Sequence, residues 1–434
     1  MRIAMIGAGY VGLVSGACFS EFGHLVACVD RDTDKIQALE QGKIPVYEPG
    51  LDAFAARNVR AGRLRFTSDL ASAMSGVEIA MIAVGTPSRR ESGEVDLSAV
   101  RAAAQDVAAA ARGALLVVTK STVPVGTCRE VARILQAVRP DVPWDVASNP
   151  EFLREGSAVE DFLRPDRIIC GVTSQRAERL LRELYRPLYL NQTPMLFTTP
   201  ESAELIKYAT NAFLATKIAF INEMADVCEA VGADVQVVAR GMGMDGRIGP
   251  KFLHAGPGFG GSCLPKDIRA LAAAGRASGA PARIVEAVIA ANEERKRRMA
   301  DKIAAAFGGA LRGKTLGLLG ITFKPNTDDL REAPSLEIIP LLQARGASIR
   351  AYDPKGMARA SELLPGVAWC EDAYAVVRQA DALVILTEWN EFRALHLDEI
   401  KALLKQPVVI DLRNIYDRER MAELGFRYTS VGRP

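Results

Sequence analysis

The residues best suited to covalent chemistry lie in one stretch, His254-Ala-Gly-Pro-Gly-Phe-Gly-Gly-Ser-Cys-Leu-Pro-Lys-Asp267. Glycine adds no side-chain bulk and tolerates positive φ, so this loop lets main chain approach a ligand closely. Cys263 follows Gly260 and Gly261, with Lys266 and Asp267 just beyond it. A thiol beside a cation ionises more readily, and the thiolate is the nucleophile. An isolated cysteine is more often a packed, inert thiol; the glycines and the Lys-Asp flank argue for the reactive reading here. Lys207 and Asn211 are four apart, one turn along one side of a helical segment. Beside an electrophile they would be oxyanion donors; elsewhere they are surface residues. Glu151 and Glu155 share the same spacing, hence one face if helical, and would act as base and orienter or stand as a solvated pair.

These groups need a scaffold, and the N-terminal sequence supplies one. Arg2–Ile6 reads as a strand, Gly7-Ala-Gly-Tyr-Val-Gly12 follows at once, Leu13–Phe22 suits a helix, and Leu25–Val29 is a second strand ending in Asp30. This is Gly-x-Gly-x-x-Gly between strand and helix, with an acid about 20 residues on. Gly7 makes the turn, Gly9 admits a pyrophosphate to the helix N-terminus beside Tyr10 and Val11, and Gly12 packs helix on strand. Asp30 would accept from ribose hydroxyls and repel a 2′-phosphate, which favours NAD; Arg31 beside it weighs the other way. Glu78–Val84 and Ala114–Thr119 continue the strand pattern. Gly85-Thr86-Pro87 and Lys120–Gly126 follow them where an open sheet binds ligands. Thr122 is therefore a site candidate, or a helix N-cap. Asp145–Ser148 leads into Asn149–Glu155.

Thr199–Gly232 reads as one helix of roughly 47 Å, with Pro200 at its start and Gly232 at its stop. Ile206, Phe213, Phe220 and Val227 recur every seven residues, an apolar seam expected to join domains and to meet a second copy. After Lys314 a second set begins: Lys314–Gly320, Ser348–Tyr352, Ala382–Leu386 and Pro407–Ile410, with Asp353 and Asp411 closing two of them. It lacks the glycine fingerprint and carries Ile321–Arg331 in the first ligand loop, so its ligand should not be NAD. The expected fold is α/β: two Rossmann-like doubly wound domains joined by a central helical region with one long helix. The expected divisions are 1–198, 199–298 and 299–434.

Composition excludes several classes. The 434 residues carry a net charge of +2, 49% hydrophobic and 24% charged residues, an ordinary globular balance without a nucleic-acid signature. Seven cysteines without Cys-x-x-Cys speak against a disulfide framework. His24, His254 and His396 are too scattered for zinc, so no metal is expected. Lys296, Arg297 and Arg298 after Glu293 and Glu294 read as a solvated helix face. The apolar N-terminus is broken by glycines and lacks a cleavage site. No run of about 18 apolar residues would span a membrane. The expectation is a soluble, cytoplasmic protein.

Over essentially its whole length the chain resembles the UDP-glucose 6-dehydrogenase family, on Gly7–Gly12, Lys120–Gly126, Asn149–Gly156, Glu204–Asn222, Asp245–Phe252, Gly258–Asp267 and Phe323–Glu332. The wider family also oxidises GDP-mannose and UDP-N-acetylmannosamine. Asp245–Gly256 looks most like the UDP-glucose branch, whereas Leu264 replaces a phenylalanine common there, and Gly260–Asp267 also occurs in the GDP-mannose branch.

The resemblance implies a four-electron oxidation of a primary alcohol to a carboxylate with two NAD⁺. Cys263 would form a thiohemiacetal and then a thioester. Lys207, or a water held by Asp267, would take the first proton; Lys207 and Asn211 would stabilise the oxyanion. Glu151 would activate water, with Thr122 and Asp267 positioning it. Phe252, Leu253, His254, Ala255, Gly256 and Gly260, with Phe152, Leu153, Arg154 and Glu155, would line the sugar diphosphate. Phe323, Lys324 and Arg413 would reach it from the C-terminal unit, and Arg247 from a partner subunit. Lys35, Thr86, Thr122, Glu155, Lys266 and Arg331 would touch NAD. UDP-glucose is the implied small-molecule partner, a homodimer or higher homo-oligomer the implied assembly, and polysaccharide synthesis the implied destination of the product. The 3-hydroxyacid and 6-phosphogluconate dehydrogenases also join a Rossmann domain to a Lys-x-x-x-Asn helix, but one hydride transfer needs no thiol. An NAD-sensing regulator would leave Cys263 and Lys207 without a task.

Overall fold

A computed structural model describes residues 1–89 and 92–434. The chain forms two compact units, Met1–Thr210 and Asn211–Pro434. The first is built on strands β1 (Arg2–Ile6), β2 (Leu25–Val29), β3 (Leu64–Thr67), β4 (Ile79–Ile82), β5 (Leu115–Thr119), β6 (Trp144–Ser148), β7 (Ile168–Val172) and β8 (Met195–Thr198). Their spatial order is β3-β2-β1-β4-β5-β6-β7-β8, parallel throughout except that β7 runs antiparallel to β6. Every residue of β4 and β5 is buried, as expected where helices cover both faces of a parallel sheet. The order reverses between β1 and β4, so the loops after those strands diverge and leave a ligand crease at their carboxyl ends.

The second unit repeats the pattern with β9 (Thr315–Leu319), β10 (Ser348–Tyr352), β11 (Val367–Trp369), β12 (Ala382–Ile385), β13 (Val408–Asp411) and β14 (Arg427–Ser430). These stand in the order β11-β10-β9-β12-β13-β14 and are all parallel. Sequence reading supplies four of the six; β11 and β14 are short edge strands.

Asp353 sets the second sheet apart from the first. It ends β10 as Asp30 ends β2, but it is fully buried. Its oxygens accept from the amides of Ile321, Thr322, Lys355 and Gly356, from the Thr322 hydroxyl and from the Trp389 indole. A carboxylate so committed cannot hold a ribose.

The long helix is Pro200–Val231, 32 residues, with Gly232 at φ +78° beyond its end. In the second unit its alanine-rich stripe is the buried one: Ala212, Ala215, Ala219 and Ala225 are at most 7% exposed. Phe213, Phe220 and Val227 of the seven-residue seam are instead 65%, 43% and 49% exposed. Helices Val235–Gly243, Leu264–Ala277 and Arg283–Ala305 follow the long helix before the second sheet begins. The solvated-face reading of Lys296 is wrong. That residue is buried between Glu293 and Glu337 at 2.9 and 3.0 Å, on the helix stripe that also buries Asn292, Met299 and Ile303.

Candidate active site

In the first unit, Gly7 has φ +106°, and a Cβ there would lie 2.6 Å from the Ala83 carbonyl oxygen. A Cβ on Gly12 would lie 1.9 Å from the Gly7 carbonyl oxygen. Gly9 is the opposite case: among the described residues nothing comes within 4 Å of the space its Cβ would fill. That open space sits at the N-terminus of the helix Tyr10–Glu21, which has no side-chain cap, so its amides are available to an anion. Asp30 accepts from Ala8 N and Lys35 Nζ, both at 2.9 Å. Burial opposes its ionisation, but Lys35 and the amides of Asp32 and Ala8 outweigh it and hold the carboxyl below the usual range. An uncluttered helix N-terminus beside an ionised acid fits a dinucleotide.

At the carboxyl ends of β4 and β5 the Thr86 hydroxyl donates to the Thr122 carbonyl at 2.9 Å, which joins two candidate loops. Glu151 does not sit on a helix: residues 149–154 have no regular secondary structure, because Pro150 and Gly156 (φ +83°) shape the segment as a loop. Glu151 and Glu155 are thus not paired across a helical turn. Instead Glu151 accepts from Leu153 N at 2.5 Å and lies 3.4 Å from Lys207 Nζ, with both side chains at most 6% exposed. Lys207 also lies 5.1 Å from the centre of the Phe152 ring. Leu153 packs against the core of this unit, and Arg154 is engaged by Asp161 through its amide and guanidinium.

Three buried charges in this unit are absent from the sequence reading as functional groups. Lys120 donates to Asn149 Oδ1 at 3.0 Å and to the Tyr185 hydroxyl at 3.4 Å; burial pushes its pKa down to about 8 against the pull of Glu151. Glu204, one turn before Lys207, accepts from Gly126 N and Cys128 N at 2.6 and 2.8 Å. Burial pushes it up to about 7 although those amides favour the charge. Glu48 accepts from the Tyr10 hydroxyl and from the amides of Gly156 and Ala158. Of the three, Glu48 stands beside a local sequence signal, the Pro49-Gly50 turn that follows it.

In the second unit Cys263 is the N-cap residue of the helix Leu264–Ala277 and is partly exposed. The end of a 14-residue helix favours negative charge there. Burial pushes the thiols of Cys18, Cys28, Cys128 and Cys170 up to about 12, which makes them inert. Asp267, 1% exposed, accepts from Asn211 Nδ2 at 2.6 Å and from Lys266 Nζ at 2.7 Å. It thereby orients one candidate oxyanion donor and holds Lys266.

The glycine loop is fixed from several sides. Asn222 accepts from Gly256 N at 2.8 Å, Arg295 donates to the Gly256 carbonyl at 2.9 Å, and Asn292 clasps both amide groups of Phe259. A Cβ on Gly260 would meet the Glu332 carbonyl at 2.3 Å, and one on Gly261 (φ +89°) the Phe323 ring at 2.7 Å. Phe252 has φ +66°, a strained backbone of the kind concentrated at ligand sites. A cavity of about 490 Å³ is lined by Leu253, His254, Ala255 and Arg413, together with Arg240 and Asn414. That volume suits a small ligand.

Arg413 donates to the carbonyls of Leu386 and Phe323, Lys324 lies 5.3 Å from the Phe323 ring centre, and Arg331 is clasped by Asp329. Arg247 is 90% exposed on Asp245, and the single chain does not bring it to the cavity.

A dinucleotide crease on one sheet, a helix-capping cysteine and a second fingerprint-free sheet define a dinucleotide-dependent oxidoreductase of the two-Rossmann class. Residues 1–189 match the NAD binding domain of the UDP-glucose/GDP-mannose dehydrogenase family, residues 201–294 its central domain and residues 317–418 its UDP binding domain. The chain is 57% identical over 436 residues to a UDP-glucose 6-dehydrogenase of Rhizobium meliloti, covering 100% of both. It is 49% identical to UDP-glucose 6-dehydrogenase TuaD of Bacillus subtilis, covering 100% of this chain and 93% of that one. It superposes on a UDP-glucose dehydrogenase from Pyrobaculum islandicum with a TM-score of 0.91 at 38% identity, covering 99% and 97% of the two chains. The chain belongs to the UDP-glucose/GDP-mannose dehydrogenase family, and its cofactor is NAD.

Proposed function

We propose that the protein oxidises UDP-glucose to UDP-glucuronate in two successive hydride transfers, with Cys263 holding the intermediate. The observation that carries this is the setting of Cys263: partly exposed, at a helix N-terminus, four residues before the Asp267 that orients Asn211. Bound NAD supplies the acceptor for a hydride leaving C6 of the sugar. Lys207, or a water held by Asp267, takes the hydroxyl proton as the alcohol becomes an aldehyde. The Cys263 thiolate adds to that carbonyl carbon, while Lys207 and Asn211 donate to the oxyanion. Loss of a second hydride leaves an acyl thioester on Cys263. Glu151 accepts a proton from water as the water attacks the acyl carbon, with Thr122 and Asp267 positioning it; the C–S bond breaks and the thiolate returns. Alcohol and water thus yield carboxylate, three protons and two hydrides.

Within this reading, Gly7, Gly9, Tyr10, Val11, Gly12, Asp30, Lys35 and Thr86 hold the cofactor. The loop Phe252–Gly260, with Phe323, Lys324 and Arg413, holds the nucleotide sugar. The divisions 1–198, 199–298 and 299–434 then separate cofactor, cysteine-bearing and uridine-binding parts. Exposed Phe213, Phe220 and Val227 support a homodimer, from whose partner Arg247 would reach the substrate. No described helix is long and apolar enough to cross a membrane, and the reading includes a cytoplasmic enzyme drawing on reduced, nucleotide-rich solvent.

Counting NADH against UDP-glucose consumed tests the proposal. The expected ratio is two, with no acid formed by Cys263→Ala. A ratio of one, or acid formation by the variant at the wild-type rate, refutes it; preference for GDP-mannose or UDP-N-acetylmannosamine reassigns the substrate within the family.

A further inference from the structure

We propose that Glu48 is a positioning residue that ties the cofactor motif to the Asn149–Gly156 loop, so that NAD occupancy and the placement of Glu151 are coupled. The inference rests on the functional reading above for the task of Glu151. The linkage itself stands on geometry within the first unit.

Glu48 is 5% exposed, and its carboxylate serves two elements distant in sequence. One oxygen accepts from the hydroxyl of Tyr10, the first residue of the helix that opens at Gly9. The same oxygen accepts from Gly156 N at 2.6 Å, and the other from Ala158 N at 2.7 Å. Gly156, at φ +83°, is where the loop bearing Glu151 turns into the helix Ala158–Leu163. Burial, and then the Glu48 carboxylate itself, push the Tyr10 hydroxyl far above the phenol range, so Tyr10 remains a donor.

The carboxylate is held stiffly from its own side. Pro49 and Gly50 (φ +81°) place it in a tight turn whose Glu48 carbonyl accepts from Leu51 N at 3.2 Å. A carboxylate offers only acceptors, and here it meets three donors. A carboxamide would turn an N–H₂ toward one of them and leave that donor unmatched.

An anion at the open amides around Gly9 bears directly on the turn that Tyr10 begins. Any tightening of that turn is passed through the Tyr10 hydroxyl and Glu48 to the amides of Gly156 and Ala158. The same loop holds Glu151 at 3.4 Å from Lys207. The binding event and the water-activating group are therefore joined by two side chains and three hydrogen bonds.

Hydrogen exchange on the full chain with and without NAD⁺, read at residues 149–158, tests the coupling without using activity. In the wild type, NAD⁺ is expected to slow exchange of the Gly156 and Ala158 amides by roughly threefold or more. Glu48→Gln should bind NAD⁺ yet lose that slowing. Tyr10→Phe, which keeps both amide bonds to Glu48 and guards against a misfolded Glu48 variant, should lose it as well. Single turnover gives the second readout: in Glu48→Gln, release of acid from Cys263 should slow by about tenfold more than the first hydride transfer does, so that the acyl adduct appears in the intact mass. Equal NAD-dependent slowing in wild type and both variants overturns the proposal, as does no slowing in the wild type. A wild type that binds NAD⁺ but leaves UDP-glucose unoxidised overturns the functional reading instead, and the exchange data still decide the coupling.

Discussion

Replacing Lys120 with methionine should make the protein more stable and less active. Burial holds the Lys120 ammonium at about 8 against an ordinary 10.5, which places the charged form about 3 kcal/mol above its solvated reference. Methionine keeps the apolar stem and removes that cost. Against this stands the loss of a 3.0 Å bond to Asn149 Oδ1, an oxygen that still accepts from the Tyr185 hydroxyl at 2.5 Å. A weaker 3.4 Å bond to Tyr185 goes as well. At about 1 kcal/mol each, these leave a net gain near 1 kcal/mol at pH 7, or roughly 2–4 °C for a unit of this size. Because the folded-state pKa lies below the unfolded one, the group's stabilising contribution is fully present above pH 10.5 and is lost as pH falls through 8. The advantage of Lys120→Met should therefore shrink from pH 7 to pH 10. Thioester hydrolysis should slow, since Glu151 loses one of the cations that act on it. Calorimetry across that pH range, with steady-state rates alongside, measures both. A variant that melts several degrees lower at pH 7, with a gap independent of pH, refutes the reasoning: the ammonium would then be a net stabiliser.

Glu204 governs the acid side in the opposite sense. Its folded pKa of about 7 exceeds the ordinary 4.5, so its stabilising contribution is full below pH 4.5 and is lost as pH rises through 7, while the ionised form best clasps Gly126 and Cys128. At pH 6 only about one carboxyl in ten is ionised, and kcat should fall accordingly; Glu204→Gln should flatten that limb, and an unchanged limb would assign it elsewhere. Gly261→Ala combines φ +89° with a Cβ 2.7 Å from the Phe323 ring, and should cost about 2 kcal/mol in denaturant unfolding. Adding Phe323→Leu should recover the steric part and not the backbone part; full recovery would show that φ carries no strain.

How much of this could be read from the residues depends on where each partner lies. Gly7–Gly12 and Asp30 meet within one local turn, where Gly7 has φ +106° and Ala8 N donates to Asp30, so near neighbours in sequence suffice to reveal them. The apolar runs of β4 and β5 report burial on both faces of a sheet. Three-residue β11 is too short to establish a period, whereas Ile168–Val172 carries an apolar run as plain as that of β5 and is missing from the sequence reading without physical excuse. The Glu151–Glu155 spacing misleads because four residues mean one face only in a helix, and Pro150 with Gly156 makes a loop.

The buried charges differ in kind. Glu204 meets amides 76 and 78 residues away, and Glu48 meets amides 108 and 110 away. A carboxylate that pairs with main chain sets no requirement on the residue type of its partner, so it leaves no complementary letter in the sequence. What exposes it is energetic: a charge kept out of water without a matching ion must have a geometric reason to remain. Lys120 and Glu204 are charges whose ionised form burial opposes, and each anchors a segment flanking Thr122. If stability alone shaped those positions, methionine and glutamine would serve better; their charged state is explained by the loop it holds.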